Sequence, residues 1–272
     1  MQFHTIASTG RTATTFLARA LDSFEGIAAV HEGHRDGDKD TEPVLPLLNL
    51  ENRAAYQDRH KAIGIVAEKR GKDLVASVCA SEEAQVLIDV GYYNSVLAEA
   101  LLDHHEGLRI VGVIRDLEGF VRSATAMEGE DPLPVGWPDP AKPLSTRERF
   151  IGMGRLKPVR GTEDADAWDG WSAIMRNIWL WRETNALLLD AKARHPQRVL
   201  LLPFEELKAD PEGFFGKILN HFDQPQQGIA RALEIAKGYE NRKKSGYQVG
   251  PLSEWSEAEK AFAQDARAQI GF

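Results

Sequence analysis

FHTIASTGRTATTFLARAL, residues 3–21, decides the fold of this chain, because it combines a short strand, a tight turn and a helix. Residues 3–7 are mostly apolar and include two β-branched residues, which is typical of a strand. Gly10 supplies turn chemistry, and from Thr14 onwards the apolar residues recur with the spacing of one helix face. We therefore predict a strand–loop–helix unit over this stretch.

The loop of this unit predicts an anion-binding site. The first turn of a helix presents unpaired N–H groups, and the helix dipole adds partial positive charge there. Arg11 and the hydroxyls of Thr12, Thr14 and Thr15 gather at the same point. These groups favour a phosphate-like or sulfate-like ligand. The competing interpretation is a structural turn, in which Gly10 reverses the chain and Thr12 caps the helix.

Two common nucleotide motifs are excluded in this loop. A P-loop requires Gly-Lys-Ser/Thr, but Ala13 and Thr14 stand where the Gly and the Lys would be needed. The glycines of a dinucleotide fingerprint are also missing. The loop therefore predicts a bound phosphate without specifying ATP.

Composition predicts an ordinary globular protein with a full core. The chain has 272 residues, 43% hydrophobic and 27% charged, and we predict a single domain over residues 1–272. The net charge of −8 argues against a nucleic-acid-binding protein. The single cysteine, Cys79, excludes an internal disulfide. A strand starting at Phe3 leaves no room for a cleaved signal, and no apolar run is long enough to span a membrane, so we expect a cytoplasmic protein.

Strands alternate with helices, which predicts an α/β fold with a central parallel sheet flanked by helices. The predicted strands after the first are 27–30, 74–80, 108–114 and 198–203, and the predicted helices after the first are 50–69, 82–105, 117–127, 169–195, 204–207, 211–222, 226–239 and 256–270. Residues 128–167 contain six prolines and few apolar residues. We predict that this stretch is an irregular insertion, either a lid or an acceptor-side loop.

A second candidate anchor follows the apolar strand LRIVGVI, residues 108–114. Arg115 stands at its carboxyl end, where open α/β sheets bind ligands, and Ser123 lies two turns into the next helix. An Arg and a Ser placed in this way can hold one phosphate from two sides. The alternative is a surface turn followed by an ordinary exposed hydroxyl.

Taken together, the two anchors resemble those of the sulfotransferases that use 3′-phosphoadenosine 5′-phosphosulfate. GRTATT, residues 10–15, matches the family's N-terminal loop, with Ala13 in place of the usual Gly. Arg115 and Ser123 have the family's spacing, although Leu117 replaces a frequent Pro. RVLLLPFEELKADPEGFFGKILNHF, residues 198–222, resembles a third family segment. The resemblance implies a P-loop NTPase-like sulfotransferase fold.

The resemblance also implies roles for particular residues. The 5′-phosphosulfate would be held by the loop residues Gly10, Arg11, Thr12, Ala13, Thr14 and Thr15. Arg115 and Ser123 would bind the 3′-phosphate, together with the basic segment that contains Lys244 and Gly246. The implied reaction moves a sulfuryl group to a hydroxyl, or less often an amine, of a small-molecule, glycan or lipid acceptor.

The catalytic base is expected at the end of the second strand. Glu32 is the first candidate and His31 the second, since related enzymes often carry a Glu there, and a nearby anion would raise the pKa of a carboxylate. Arg11 would stabilise charge on the leaving phosphate. The same tripeptide, His-Glu-Gly, recurs at 105–107, where a helix is expected to end, so position rather than sequence carries this assignment.

A metal site in HEGHRDGDKD, residues 31–40, is the main competing interpretation. His31 and His34 have the wrong spacing for a zinc-protease helix, and Thr41 stands where a calcium loop needs Gly. The sulfotransferases that the chain resembles need no metal for sulfuryl transfer, so the resemblance implies no metal cofactor.

Several aromatic residues have more than one candidate role. Trp171 and Trp181 are expected in the core, whereas Trp168 is a candidate for the acceptor pocket. Tyr92, Tyr93 and Asn94 could face the cosubstrate, the acceptor or the core. Two other functions remain as alternatives, a small-molecule kinase and a non-catalytic nucleotide-binding protein.

Overall fold

The computed structural model describes residues 1–32, 48–69, 75, 84–139, 141–145, 148, 152, 154–237 and 247–271. Its strands are β1 Gln2–Ser8, β2 Ile27–His31, β3 Val86–Gly91, β4 Ile110–Ile114 and β5 Val199–Pro203. Its helices are α1 Thr14–Asp22, α2 Leu48–Gln57, α3 Arg59–Ile65, α4 Asn94–His104, α5 Leu117–Glu128, α6 Pro132–Gly136, α7 Glu163–Ala167, α8 Ala173–Arg194, α9 Phe204–Ala209, α10 Pro211–His221, α11 Ile229–Ala236 and α12 Glu257–Ile270, with short 3₁₀ turns at Trp168–Gly170 and Leu252–Glu254.

The five strands are parallel and form one sheet in the order β2-β3-β1-β4-β5. β1 is central, so that Ala7 pairs with Gly91 on one side and with Gly112 on the other. The strands β3 and β4 are buried along their whole length, which matches the apolar composition expected when helices cover both faces. The predicted α/β fold with a central parallel sheet is therefore confirmed.

Helices cover both faces of the sheet and make separate cores. On one face α1 and α10 bury Leu17, Leu21 and Phe215 against β1. On the other face α4 and α8 bury Leu97 and Leu188. A third cluster joins α5, α8 and α12 and contains all six tryptophans: Trp137, Trp168, Trp171, Trp179, Trp181 and Trp255.

The tryptophan cluster decides two of the predictions. Trp171 and Trp181 lie in the core, as predicted. Trp168 does not line an acceptor pocket, so that prediction is wrong. Its ring packs edge-on against Trp137 and Trp179, at centroid distances of 5.4 Å in both cases, and it is 5% exposed. A large ring of this kind gains more from full burial than from facing a polar site.

The predicted helix over 82–105 is wrong in its first half. Residues Val86–Gly91 form β3, and only Asn94–His104 are helical. The apolar run of β3 is buried on both faces, and such a run has no period-two alternation that would separate it from a buried helix. The correction matters for the site, because it creates a strand end at Gly91.

Two other predictions need adjustment. The predicted helix over 50–69 is broken at Asp58, whose Oδ1 accepts a hydrogen bond from the N–H of His60 at 2.9 Å and caps α3. The predicted strand 74–80 lies outside the described residues, apart from Val75. The 128–167 stretch contains α6 and α7 between irregular segments.

Within the described ranges, no helix is both long enough and apolar enough to cross a lipid bilayer.

Candidate active site

The loop between β1 and α1 has the backbone geometry of an anion nest. Three of its residues have positive φ angles: Gly10 at 88°, Arg11 at 59° and Ala13 at 55°. Such dihedrals turn backbone N–H groups toward one concavity at the start of α1. Ala13 is the helix N-cap and adopts the left-handed conformation, which a glycine would adopt at lower cost.

One threonine of the loop is buried in the protein, and two line the cavity. Thr12 is fully buried, and its Oγ1 donates to Ser8 Oγ at 2.9 Å, so only its backbone can contribute to a ligand. Ser8 Oγ also accepts from the Gly10 N–H at 3.0 Å, which fixes the turn. Thr14 and Thr15 line the adjacent cavity.

The end of β2 places both candidate bases at this loop. His31 Nε2 lies 2.9 Å from Thr14 Oγ1, in a hydrogen bond whose direction depends on the imidazole tautomer. Glu32 Oε1 lies 3.9 Å from the same nitrogen. The backbone N–H of Glu32 donates to Val90 O at 3.0 Å, and its φ of 51° turns the side chain out of the strand direction. Both side chains are about one-fifth exposed and line the cavity.

The second anchor contacts the first directly. Arg115 follows β4, and its Nη1 donates to the carbonyl oxygen of Arg11 at 2.7 Å. Arg11 Nε in turn donates to Ser123 Oγ at 2.9 Å. The backbone of Arg115 is held by Trp181, whose Nε1 donates to the Arg115 carbonyl oxygen at 2.8 Å. Two segments a hundred residues apart in sequence thus meet at one point.

Both arginines are partly desolvated cations. Burial lowers the pKa of Arg11, and the neighbouring guanidiniums of Arg115 and Arg155 lower it further. Burial also lowers the pKa of Arg115. Arg115 Nε is buried and has no hydrogen-bond partner among the described residues, and the nearest Asp116 oxygen is 4.0 Å away. An anion bound here would supply the missing acceptor and offset the desolvation.

A cavity of about 810 Å³ opens between these elements. Of the residues predicted from sequence, it is lined by Gly10, Arg11, Thr14, Thr15, His31, Glu32 and Ser123. Thr12, Ala13 and Arg115 are not among the residues that line it. Lys244 and Gly246 lie outside the described residues, although the neighbouring Tyr247 and Gln248 line the cavity.

The three residues after β3, Tyr92, Tyr93 and Asn94, lie in different surroundings. Tyr92 lines the cavity beside Gly10, where a Cβ added to the glycine would lie 3.5 Å from Tyr92 Cβ. Burial raises the pKa of the Tyr92 hydroxyl, and the charge of Glu32 raises it further, so Tyr92 remains a proton donor. Tyr93 and Asn94 are buried, with Asn94 Nδ2 donating to Asp89 O at 3.0 Å.

Sequence reasoning missed a buried ion pair in the wall of the cavity. Arg155 lines the cavity, and its Nη1 contacts Glu128 and also donates to Asn177 Oδ1 at 3.1 Å. Asn177 Nδ2 donates to Glu128 Oε1 at 2.9 Å. Glu128 ends α5 and Arg155 lies in an irregular segment, so no local spacing in the sequence signals the pair.

Two further cavity residues were also missed. Asn52 donates through Nδ2 to Gly154 O at 3.0 Å, and Thr184 donates to Leu180 O at 2.7 Å. Each sits in a helix whose inward face becomes a cavity wall only after folding. Within the described ranges, no group of His, Cys, Asp and Glu side chains could hold a metal ion.

Solved sulfotransferase structures share this fold. A sulfotransferase from Alicyclobacillus acidocaldarius matches 99% of this chain and 94% of its own, with a TM-score of 0.54 at 12% identity. One from Mycobacterium tuberculosis H37Rv matches 100% of this chain and 77% of its own, with a TM-score of 0.51 at 12% identity. The sulfotransferase domain of the Synechococcus PCC 7002 olefin synthase matches 98% of this chain and 87% of its own, with a TM-score of 0.50 at 14% identity.

No protein-family model and no curated protein sequence matches the chain. At these identities the structural matches show a common fold: this chain has the sulfotransferase fold.

Proposed function

We propose that this protein transfers a sulfuryl group from 3′-phosphoadenosine 5′-phosphosulfate to an acceptor hydroxyl. One observation carries the proposal: Arg115 bonds to the carbonyl of Arg11 and Arg11 bonds to Ser123, so the two candidate anchors are in contact, and Arg11 and Ser123 line the same cavity as Glu32. The shared fold of solved sulfotransferases supports the same conclusion.

The chain's own residues fit such a nucleotide. The N–H groups of the loop and the Arg11 guanidinium would hold the 5′-phosphosulfate, and Thr14 and Thr15 would add hydroxyl donors. Arg115, through its unpartnered Nε, and Ser123 would bind the 3′-phosphate. Lys244 and Gly246 are proposed as a further 3′-phosphate contact, since relatives often fold a basic segment onto it.

The reaction is an in-line displacement at sulfur. The acceptor oxygen forms a bond to sulfur while the bond from sulfur to the phosphate oxygen breaks, and the nucleotide leaves as 3′-phosphoadenosine 5′-phosphate. Arg11 stabilises the negative charge that grows on the leaving phosphate. The protein contributes position and charge, as in phosphoryl transfer, and needs no covalent intermediate.

Glu32 is the proposed base, and it takes the proton of the acceptor hydroxyl. Glu32 lines the cavity beside the loop, and its backbone N–H donates to Val90 O. His31 is the second candidate, but its Nε2 is already engaged by Thr14 Oγ1. Tyr92 lines the cavity, and burial and the charge of Glu32 raise the pKa of its hydroxyl, so it would donate a hydrogen bond to the transferring group or to the acceptor.

Calorimetry with 3′-phosphoadenosine 5′-phosphate tests the proposal. We expect this nucleotide to bind at least about tenfold more tightly than ATP, because the pocket offers two separated phosphate anchors and no phosphate-loop lysine. Tighter binding of ATP would favour a kinase and contradict the proposal. If the nucleotide binds but no acceptor in a broad panel is sulfated from a ³⁵S-labelled donor, the protein is instead a non-catalytic nucleotide-binding protein.

A further inference from the structure

Arg155 is a nearly buried cation in the wall of the cavity, and it is 6% exposed. Its side-chain hydrogen bonds to described residues all run through one nitrogen, Nη1, which contacts Glu128 and donates to Asn177 Oδ1 at 3.1 Å. Nε and Nη2 make no hydrogen bond to any residue that the structure describes, and neither nitrogen is sealed from solvent. Because Arg155 borders the cavity, the N–H groups on this edge of the guanidinium are available to a molecule bound there.

The ion pair of Arg155 and Glu128 is incompletely satisfied by the described part of the chain. Glu128 is 1% exposed, and its Oε2 is buried without a hydrogen-bond partner among the described residues. A buried ion pair offsets its desolvation only when further hydrogen bonds satisfy the remaining N–H groups and lone pairs. An acceptor group bound in the cavity would supply what is missing on the Arg155 side.

The backbone around Arg155 is fixed, although the segment is irregular. The carbonyl oxygens of residues 154, 155 and 156 each accept a side-chain hydrogen bond, from Asn52 Nδ2 at 3.0 Å, Arg53 Nε at 2.9 Å and Trp137 Nε1 at 3.0 Å. The Trp137 ring also packs on the guanidinium, whose Cζ lies 5.0 Å from the ring centroid. Donors held in this way need little reorganisation when their ligand arrives.

Arg155 is a neighbour of Arg11, which the proposed function places at the leaving phosphate. Arg11 Nη1 donates to Met127 Sδ at 3.4 Å, and Met127 directly precedes Glu128, so the end of α5 contacts both guanidiniums. Burial chiefly lowers the pKa of Arg11, and the charge of Arg155 lowers it further, as expected for two nearby cations. An anionic group bound to both would relieve this repulsion.

We propose that Arg155 binds the sulfuryl group of 3′-phosphoadenosine 5′-phosphosulfate, with Nε and Nη2 donating to two of its oxygens. Arg11 then holds the phosphate side of the bond that breaks, and Arg155 holds the sulfuryl group as it passes to the acceptor hydroxyl. Arg155 keeps its protons throughout, and the acceptor proton goes to Glu32. A planar fork of N–H donors suits two oxygens of one tetrahedral group. This inference rests on the proposed function and adds to it a contact with the transferred group.

Calorimetry with two nucleotides tests this contact, because 3′-phosphoadenosine 5′-phosphate lacks only the sulfuryl group of the donor. Arg155→Lys keeps a cation beside Glu128 but removes the open edge of the guanidinium. We expect it to weaken the intact donor at least about tenfold, while the affinity for 3′-phosphoadenosine 5′-phosphate stays within about twofold. Equal losses for both nucleotides would give Arg155 a structural or phosphate-binding role and overturn the inference. Unchanged affinity for both would also overturn it.

Matched variants complete the test. Arg182→Lys alters a second ion pair of low exposure, with Asp164, at a residue that does not line the cavity, and both affinities should stay unchanged. Should Arg155→Lys fail to fold, Glu128→Gln/Arg155→Met is compared with Glu128→Gln, and the same selective loss of at least about tenfold is expected. If the unaltered protein binds neither nucleotide, the proposed function itself fails. If it binds both and the variants show no selective loss, only the role of Arg155 fails.

Discussion

Glu32 has a backbone conformation that is uncommon for a residue with a side chain. Its φ of 51° lies in the left-handed region, yet its N–H remains bonded to Val90. Such conformations persist where the surrounding structure holds them, and they concentrate at functional sites. In this protein the turn brings a carboxylate to the loop that would carry the reacting group.

Glu32→Gln should separate catalysis from binding. The amide keeps the shape of the carboxylate but cannot take a proton, so we expect turnover to fall roughly 10²- to 10⁴-fold. Affinity for 3′-phosphoadenosine 5′-phosphate should stay within about twofold, measured by calorimetry. His31→Gln is the matched comparison and should cost less in turnover. A larger loss in His31→Gln than in Glu32→Gln would transfer the role of base to His31.

Arg115→Ala should weaken the binding of the 3′-phosphate of the nucleotide. We expect affinity for 3′-phosphoadenosine 5′-phosphate to fall about 10- to 100-fold, because a charge-assisted contact is lost. Affinity for adenosine 5′-monophosphate, which lacks only the 3′-phosphate, should change much less. Arg194→Ala, which removes an exposed guanidinium paired with Glu99, is the control. Equal losses for both nucleotides would contradict the assignment of Arg115.

At the scale of elements, strand ends organise the site. β1 lies between β3 and β4, so the 10–15 loop is flanked by Tyr92 on one side and Arg115 on the other. The sequence predicted the loop and Arg115, because a turn glycine and an apolar strand ending in Arg are local signals. It did not predict β3, since a strand buried on both faces lacks a period that distinguishes it from a helix.

The cavity walls show a second limit of sequence reasoning. Helix α5 was predicted, but its residues Phe120 and Ala124 belong to the tryptophan core and also line the cavity, so nothing in the sequence marks them as cavity residues. Arg155 lies in an irregular segment and meets Glu128 only through the tertiary fold. Pairs of this kind depend on how elements pack, which one sequence does not reveal.

Ala13→Gly should stabilise the strand–loop–helix unit. Ala13 is held at φ 55° and ψ 37°, a left-handed conformation that costs a residue with a Cβ about 1–2 kcal/mol. Glycine removes this cost but adds about 0.4–1 kcal/mol of chain entropy. We expect the free energy of unfolding, measured in urea, to rise by roughly 0.5–1 kcal/mol. Ala20→Gly, inside α1, should lower it, and a loss in Ala13→Gly as well would contradict the prediction.

Glu128→Gln should destabilise the link between α5 and the 154–156 segment. The substitution leaves the Arg155 guanidinium buried beside a neutral group, which should lower the free energy of unfolding by roughly 3 kcal/mol. Glu206→Gln, which breaks the exposed pair with Lys217, should cost less than about 1 kcal/mol. The double variant Glu128→Gln/Arg155→Met should recover part of the loss. An equal loss of unfolding free energy in Glu128→Gln and Glu206→Gln would show that the buried pair stabilises the protein no more than the exposed pair.

At the scale of the whole molecule, the end of the sheet opposite the site contains a histidine cluster. His4 is 2% exposed, stacks on Phe222 at 4.7 Å and accepts from the Arg109 N–H at 3.2 Å. Burial chiefly, and the charges of Arg109 and His221 to a smaller extent, lower the pKa of His4 to about 4, while Asp223 acts in the opposite direction. The folded protein thus keeps this imidazole neutral.

Stability should fall in mild acid for this reason. In the unfolded chain a histidine takes a proton near pH 6.5, but folded His4 does not until about pH 4, so its contribution is complete above pH 6.5 and is lost as the pH falls toward 4. We expect a loss on the order of 2–3 kcal/mol between about pH 7 and pH 4.5 in urea unfolding. His4→Asn, which keeps an acceptor for Arg109, should flatten this dependence, and an unchanged slope would contradict the role of His4.

The central place of β1 has a consequence for synthesis on the ribosome. β1 precedes both of its neighbours, and its residues pair with Val86–Gly91 and with residues 110–113. A nascent chain must therefore carry this apolar strand without either partner until β3 has been translated, and with one side still open until β4 follows. Segments exposed in that way recruit chaperones and aggregate when translation stalls.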